Sequence, residues 1–458
     1  MKPDLFRTVT ATDIDYLSDE SKETGFADTI SFPRSEAEIL EILKIISQPD
    51  HLMTDQFLSE KNEISTRHPE KSGDLCKMIT IQGSNTGIKG RSVPHGGHII
   101  NLSRMNRLID TRVLSDGSAL AIVEPGLSLS ELQQQIDRIF SNKPVFWPPQ
   151  PTERSASIGG IAVTGASGMN IHYYGATRQY IEAITFITLE GERLHLDRNI
   201  SPAISKQMDQ LLGSLADMDQ PTEIGIITEL TLKLLPKPES VWGISFFFTD
   251  TKQAAACGEE LKTYAVPFDD AWIASLEYMD STAIGMIEAQ KEYISAIRSL
   301  PDVPEGTSAM IYMQLEGNEK SIEELLMELM EITTGYGSDP DLAWAVNGES
   351  EVEKMHAFRH VAAEAVILYT EEKHQSDPRI TKLGFDRSDP DVPFPSLISR
   401  YQKDLKEYGL RASLYGHIGT GQIYVDILPE NYGEYMRGKD LVSKWAKQIN
   451  ENLKGGIL

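Results

Sequence analysis

Ser155-Ala156-Ser157-Ile158-Gly159-Gly160, running on to Thr164-Gly165-Ala166-Ser167-Gly168, is the stretch on which the reading of this chain turns. From Gly159 to Gly168 no side chain is larger than Ile. So bare a surface lets a flat ligand lie against main chain. Just upstream, Lys143-Pro144-Val145-Phe146-Trp147-Pro148-Pro149-Gln150-Pro151-Thr152 carries four prolines. Proline lacks the N–H that helices and ladders need, so residues 143–152 are expected to be irregular. Downstream, Tyr174-Gly175-Ala176-Thr177-Arg178 leads into an apolar strand pattern, Ile181–Leu189, and a turn at Glu190-Gly191.

Further outward lies Gly83-Ser84-Asn85-Thr86-Gly87-Ile88-Lys89-Gly90, which follows a short strand pattern at Met78–Ile81. Glycines let main-chain amides converge on an anion, and Ser, Asn and Thr add short donors. No Gly-Lys-Ser/Thr follows, so it is not a Walker loop. The spacing is not that of a dinucleotide fingerprint either, and no helix opens directly. By itself the loop reads more readily as a tight turn with glycine at positive φ.

The chain has 458 residues, room for two or three domains. Apolar residues are 40% and charged residues 24%, which excludes collagen-like, disordered and disulfide-stapled classes. Lys and Arg number 43 against 68 Asp and Glu, a formal net charge of −25. Such a surface repels phosphate backbones, so no nucleic-acid partner is expected. Cys76 and Cys257 form no ligand spacing, so neither a zinc ribbon nor an iron–sulfur cluster is supported. No apolar signal core opens the sequence, and no run is long enough to span a bilayer. A cytoplasmic protein is expected.

Two capping boxes mark helix starts. Ser35 with Glu38 precedes Ile39, Ile42, Leu43 and Ile46; Ser128 with Glu131 precedes Leu132, Ile136 and Ile139. Residues 50–76 are polar and read as a surface insertion. Strands are expected at Ile99–Leu102 and Ile224–Leu235, and Pro236 and Pro238 mark a domain boundary. Beyond it come strands at Gly243–Phe248, Ala309–Leu315 and Ile423–Leu428, with helices at Ile322–Ile332 and Lys354–Leu368. The pattern is α+β in both halves, with no βαβ run long enough for a doubly wound sheet.

Taken in order, these segments resemble the FAD-binding domain of the vanillyl-alcohol oxidase/p-cresol methylhydroxylase (PCMH) superfamily. They are most similar to its D-lactate dehydrogenase/glycolate oxidase branch. The motifs are Pro33-Arg34-Ser35, Ser84-Asn85-Thr86-Gly87, Glu124-Pro125-Gly126, Pro149-x-Pro-Thr152, Ile158-Gly159-Gly160 and Tyr174-Gly175-Ala176-Thr177-Arg178. Gly225-Ile226-Ile227-Thr228-Glu229 looks like the family's closing strand. The resemblance implies an N-terminal segment (1–27), a PCMH-type FAD-binding domain of two α+β subdomains (28–237) and an α+β FAD-linked oxidase C-terminal cap (238–458). It implies that Gly83, Ser84, Asn85, Thr86 and Gly87 hold the pyrophosphate. Pro149, Thr152, Ser155, Gly159, Gly160 and Ser167 would line the adenine-to-flavin path, and Ile226 and Ile227 would offer main chain. The chain departs from the family's Gly-Thr-Leu-Gly at Pro221-Thr222-Glu223-Ile224-Gly225. His95 and His98 lie beyond the loop and read as ordinary polar or turn residues, so the FAD is expected to be non-covalent.

In the second half, Leu276–Asp280 and Gln314-Leu315-Glu316-Gly317 look like the family's cap. By resemblance, Arg359 and Lys382 grip a substrate carboxylate, and a guanidinium fork suits that task. Where the family reads Gly-His-x-Gly-Asp-Gly-Asn-x-His-x-Asn, this chain has His417, Gln422, Tyr424 and Asp426. One His alone makes a poor metal site, so no metal is expected and His417 is left as the candidate base. The chain stops at Gly455-Gly456-Ile457-Leu458, where the family's Ser-x-Glu-His-Gly would begin. Either it is a fragment or the motif is dispensed with.

Two functions follow from the resemblance. One is an FAD-dependent oxidoreductase acting on a small D-2-hydroxy acid (lactate, glycolate or 2-hydroxyglutarate class), with a 2-oxo acid as product. It would pass electrons to a quinone, a cytochrome or a partner flavo- or iron–sulfur subunit. The other is a non-catalytic or electron-transferring FAD subunit. Either would be cytoplasmic or peripheral to the inner membrane through a partner, as a homo-oligomer or a complex subunit.

Overall fold

The computed structural model describes residues 5–21, 23–47, 79–217, 225–386, 389 and 391–455. The polar segment 50–76, the departure at Pro221–Ile224 and the final Gly456-Ile457-Leu458 lie outside the described residues. In chain order the first elements are β1 (Arg7–Thr8), β2 (Thr29–Ser31), α1 (Glu36–Ile46), β3 (Ile79–Gln82) and β4 (His98–Asn101). Next come β5 (Leu108–Val113), β6 (Ala119–Val123), α2 (Leu129–Ile139), β7 (Val145–Phe146), α3 (Ile158–Thr164) and α4 (Ile171–Tyr174). Then follow β8 (Ile181–Ile187), β9 (Arg193–Asp197), α5 (Pro202–Asp217) and β10 (Ile226–Pro236). The rest are β11 (Ser240–Phe248), α6 (Thr251–Thr263), β12 (Ala271–Asp280), α7 (Ser281–Gln290), β13 (Ala309–Gly317), α8 (Glu319–Gly335) and β14 (Trp344–Asn347). The chain closes with α9 (Glu349–Ser376), β15 (Gly384–Phe385), α10 (Phe394–Tyr408), β16 (Ala412–His417), β17 (Gln422–Ile427) and α11 (Tyr432–Gly455).

The chain divides into two units: Met1–Gly168 with Ala176–Lys237, and Met169–Gly175 with Pro238–Leu458. In the first, a four-stranded sheet has the order β1-β2-β4-β3, and β2, β4 and β3 run parallel. The short strand at residues 7–8, which the sequence places in a separate N-terminal segment, pairs with β2. A second sheet has the order β5-β6-β10-β8-β9, with β7 also on β10. At α2 both halves of the Ser128–Glu131 box form. At α1 the Ser35 oxygen accepts from Glu38 N at 3.3 Å, while Glu38 reaches back to Arg34 N at 2.7 Å. Leu132, Ile136, Ile158 and Leu230 are wholly buried in the core of this sheet. Each contributes about 1.5–3 kcal/mol of hydrophobic stabilisation.

Two expectations need correction here. Residues 143–152 are not wholly irregular, because Val145 and Phe146 pair with Pro236 and Leu235. The prolines flank these two residues, so their own amides stay available. His98 is no turn residue. It sits on β4, 3% exposed, with Nδ1 2.8 Å from Thr29 Oγ1, Nε2 2.9 Å from Ser31 Oγ and its ring stacked on Phe6. Burial pushes its pKa down to about 3, so it is a neutral sheet residue.

The second unit is built on a seven-stranded sheet, β14-β11-β13-β12-β16-β17-β15, antiparallel at every pairing given. Alternation along each strand sends side chains to opposite faces. Ile273, Leu276, Ile311, Met313, Leu315, Leu414, Ile423 and Val425 join one apolar cluster with residues of α6, α8, α10 and α11. The opposite face carries Glu277, Tyr312, Gln314, Tyr415, His417 and Tyr424, and α9 and α7 contribute to the cluster on that side. A bulge in β12 between Ile273 and Ser275 absorbs one residue. It keeps Ile273 and Leu276 with the apolar cluster while Trp272 and Glu277 stay on the polar face, which a one-residue slip would otherwise invert.

Candidate active site and cofactor cleft

In the first unit a cleft of about 690 Å³, measured with its open mouth, is lined mostly by apolar side chains. Ile81, Val163, Ile184, Phe186, Leu211 and Leu215 supply apolar surface, and Gly83, Gly159, Gly160 and Gly225 leave it uncluttered. The glycine loop is anchored from behind. Asn101 Nδ2 donates to Gly83 O at 3.2 Å, and the buried Gln82 donates to Tyr16 O at 2.8 Å and Ser92 O at 2.7 Å. Sequence reasoning passed over Gln82 and Asn101, although both sit at strand ends beside the loop. A Cβ on Gly83 would lie 2.1 Å from Ser157 Oγ, so any larger residue must displace that wall.

Asn85 takes the left-handed conformation, φ 55°, and is the non-glycine residue that does so among the described residues. Its Oδ1 is buried and has no hydrogen-bond partner among the described residues. Buried polar atoms are usually paired, so this acceptor is open to a donor that no described residue provides. Bare glycines and apolar walls fit a flat ring system, and the unpaired Asn85 oxygen suits a ligand N–H or hydroxyl donor.

Of the sequence-predicted cofactor residues, Gly83, Gly159, Gly160 and Ile227 line this cleft. Gly159 also has a packing role, since a Cβ there would fall 2.7 Å from Pro125 Cβ. Ser84 and Gly87 are exposed, Thr86 is half-buried, and Asp19 stands against Gly87. Pro149 is buried, while Thr152 and Ser155 are exposed away from the cleft lining. Ser167 accepts from Thr177 N at 3.0 Å and contacts Thr177 Oγ1 at 3.1 Å, so its hydroxyl pins a loop. The Ile226 side chain is buried in the core.

In the second unit the three predicted catalytic side chains join one network. Glu277 on β12 is fully buried and lies directly across from His417 on β16. Glu277 Oε1 is 2.5 Å from His417 Nδ1, and Glu277 Oε2 accepts from Arg359 Nε at 2.8 Å. The Arg359 guanidinium also lies over the Tyr415 ring at 4.7 Å and the Tyr424 ring at 5.9 Å from their centroids. Tyr415 donates to Asp426 Oδ2 at 2.8 Å, and Lys382 Nζ stands 3.6 Å from Asp426 Oδ1. The network thus runs His417–Glu277–Arg359–Tyr415–Asp426–Lys382.

Burial works to raise the Glu277 pKa, but the charges and hydrogen bonds of His417 and Arg359 outweigh it and hold the carboxyl below its usual value. Burial raises Asp426, which Lys382 and Tyr415 only partly offset. Tyr424, half-buried, is pushed up to about 12 and stays a neutral phenol. His417 Nε2 and the two Nη groups of Arg359 bond no described residue.

Residues outside the expected catalytic set fill out the face. His172 on α4 touches the turn after His417, where a Cβ on Gly419 would fall 2.3 Å from its Nδ1. Glu316 accepts from Gln314 Nε2 at 2.5 Å, from Trp272 Nε1 at 3.2 Å and from Tyr174 OH. His356 Nε2 lies 2.5 Å from Gln314 Oε1, and His360 on the same helix is held neutral by burial, its pKa down to about 3. The spacing His356-x-x-Arg359-His360 puts all three on neighbouring positions of α9, a signal the sequence did carry.

The sequence model of the FAD binding domain matches residues 76–197, and that of the C-terminal domain of FAD linked oxidases matches residues 237–457. The chain belongs to the PCMH-type FAD-linked oxidase family. It is 25% identical over 366 residues to a D-lactate dehydrogenase of Anaerostipes hadrus, spanning 76% of this chain and 67% of that one. Glycolate oxidase subunit GlcD of Escherichia coli (strain K12) is 25% identical over 372 residues, spanning 80% and 67%. A solved 4-ethylphenol oxidase from Gulosibacter chungangensis shares the fold, with a TM-score of 0.64 at 13% identity, over 98% of this chain and 84% of that one. An alkyldihydroxyacetonephosphate synthase does likewise, at 0.63 and 16%, over 97% and 78%. This FAD-linked oxidase is an enzyme, an oxidoreductase with FAD as its cofactor. No helix among the described residues is long and apolar enough to cross a membrane.

Proposed function

We propose that this chain oxidises a small D-2-hydroxy acid, of the lactate, glycolate or 2-hydroxyglutarate class, to the 2-oxo acid. The observation that carries the reading is the Arg359–Glu277–His417 arrangement on one sheet face. It is supported by likeness to a D-lactate dehydrogenase and a glycolate oxidase subunit. Bound FAD supplies the acceptor for the α-hydrogen and its electron pair, through flavin N5. The Nη groups of Arg359, assisted by Lys382, hold the substrate carboxylate; Nε stays on Glu277. Nε2 of His417 takes the hydroxyl proton. The Tyr415 and Tyr424 rings keep Arg359 in place and exclude water from its face. Fixing the acid at two points makes the transfer nearly unimolecular. We keep the FAD as non-covalent; both ring nitrogens of His98 are engaged within the sheet, which removes that side chain as a point of attachment. The acceptor that reoxidises the enzyme is a quinone, a cytochrome or a partner flavo- or iron–sulfur subunit.

The test is anaerobic mixing of the holoprotein with D- and L-lactate, glycolate and D-2-hydroxyglutarate, following the visible flavin absorbance. At least one D-acid or glycolate should bleach it, and His417→Ala should slow the bleaching about 10²–10⁴-fold. If none of these acids reduces the flavin, or His417→Ala leaves the rate unchanged, the reading fails.

A further inference from the structure

We propose that Glu277 is a positioning residue that serves base and clamp together: its two oxygens fix the ring tautomer of His417 and aim the guanidinium of Arg359. Glu277 is fully buried, so it meets neither substrate nor solvent and acts only through its two partners. It accepts from Arg359 Nε at 2.8 Å on one oxygen and meets His417 Nδ1 at 2.5 Å with the other. An ionised carboxylate only accepts hydrogen bonds. The proton of neutral His417 therefore sits on Nδ1, and Nε2 carries the lone pair that a base needs. The same carboxylate binds the Nε edge of Arg359, which leaves the Nη edge to take a planar anion in bidentate fashion.

The consequence is specific to the carboxylate. An isosteric amide has one accepting oxygen and one donating NH₂. Facing a permanent guanidinium, the amide must turn its oxygen to Arg359 Nε, because two donors in contact repel. Its NH₂ then faces His417 Nδ1 and forces that nitrogen to accept. The ring proton moves to Nε2, and the base is lost although nothing has changed shape. Burying an orienting carboxylate behind an imidazole is a recurrent solution, and its amide variant loses activity through the wrong tautomer. Here the carboxylate also holds the clamp, and this dual hold dictates which way the amide turns.

The test uses the FAD-loaded protein with ring-¹⁵N-labelled histidine, the His417 signals being assigned by their disappearance in His417→Gln. Wild type should show a protonated Nδ1 and an unprotonated Nε2 at a pH where the ring is neutral. Glu277→Gln should reverse the two. Glu277→Gln combined with Arg359→Met should restore the wild-type pattern, since the amide oxygen is then free to face His417. A merely structural role for Glu277 predicts no such reversal and no such rescue. A wild-type spectrum with the proton on Nε2 overturns the proposal by itself, even if the variants do not fold. So does an unreversed spectrum in Glu277→Gln. Flavin reduction by the best acid should fall roughly 10²–10⁴-fold in Glu277→Gln with FAD content unchanged. His417 as the base rests on the proposed function, whereas its tautomer does not. Failure of every 2-hydroxy acid to reduce the flavin would leave the spectra, and this inference, to be judged separately.

Discussion

Arg359→Met is the substitution whose cost follows most directly from the geometry. Arg359 is 5% exposed and Glu277 is fully buried, so the change strands a carboxylate in the interior. Removing one partner of a buried pair costs about 3–5 kcal/mol, because the remaining charge keeps its desolvation penalty and loses its compensation. For a folding unit of this size each kcal/mol shifts the midpoint by about 2–4 °C, which gives a fall of roughly 6–20 °C for the second unit. The pH dependence has a definite sign. In wild type the folded-state pKa of Glu277 is lowered, so its stabilisation is present above the ordinary carboxylate pKa and is lost as pH falls through the depressed value. Without Arg359, burial dominates and the folded-state pKa rises. The penalty is then full at high pH and fades as the carboxyl protonates. The deficit of Arg359→Met against wild type should therefore narrow as pH falls from about 8 to about 5. Glu277→Gln combined with Arg359→Met should regain most of the loss, because the stranded charge goes with its partner. The assay is calorimetric or fluorescence melting of the holoprotein across that pH range. A midpoint shift under about 2 °C, or a deficit that widens in acid, would refute the account of Glu277 as a buried, compensated charge.

Two further outcomes are expected. Gly83→Val should cut FAD content below about a tenth of a chain equivalent, because its Cβ would meet Ser157 Oγ at 2.1 Å and the side chain must then enter the cleft; full retention of flavin, read from the visible-to-ultraviolet absorbance ratio, would place the cofactor elsewhere. Metal analysis of the purified holoprotein should find no stoichiometric zinc or manganese, since Tyr424 is a poor ligand with its pKa raised to about 12; about one ion per chain, lost together with activity on chelation, would contradict this.

Residue chemistry alone specified several of the elements and their kind. The apolar run in Ala309–Leu315 specified a strand, and the Ser128–Glu131 pair specified where α2 starts. Such features depend on residues a few positions apart, and local chemistry fixes them. The order of glycine-rich motifs likewise pointed to a PCMH-type FAD-linked oxidase. What the tertiary structure decided is which distant residues meet. Glu277 belongs with Arg359 and His417 because β12 lies beside β16 and α9 packs over that face, 82 positions away in one case and 140 in the other. The bulge after Ile273 turns Glu277 toward them, and nothing in Ala274 or Ser275 announces it. His98 reads as a loop histidine until β2 brings Thr29 and Ser31 to its two nitrogens. Burial and electrostatics are properties of assembled neighbours. A sequence therefore states which groups can ionise, whereas the fold states which of them are compensated and toward what they point.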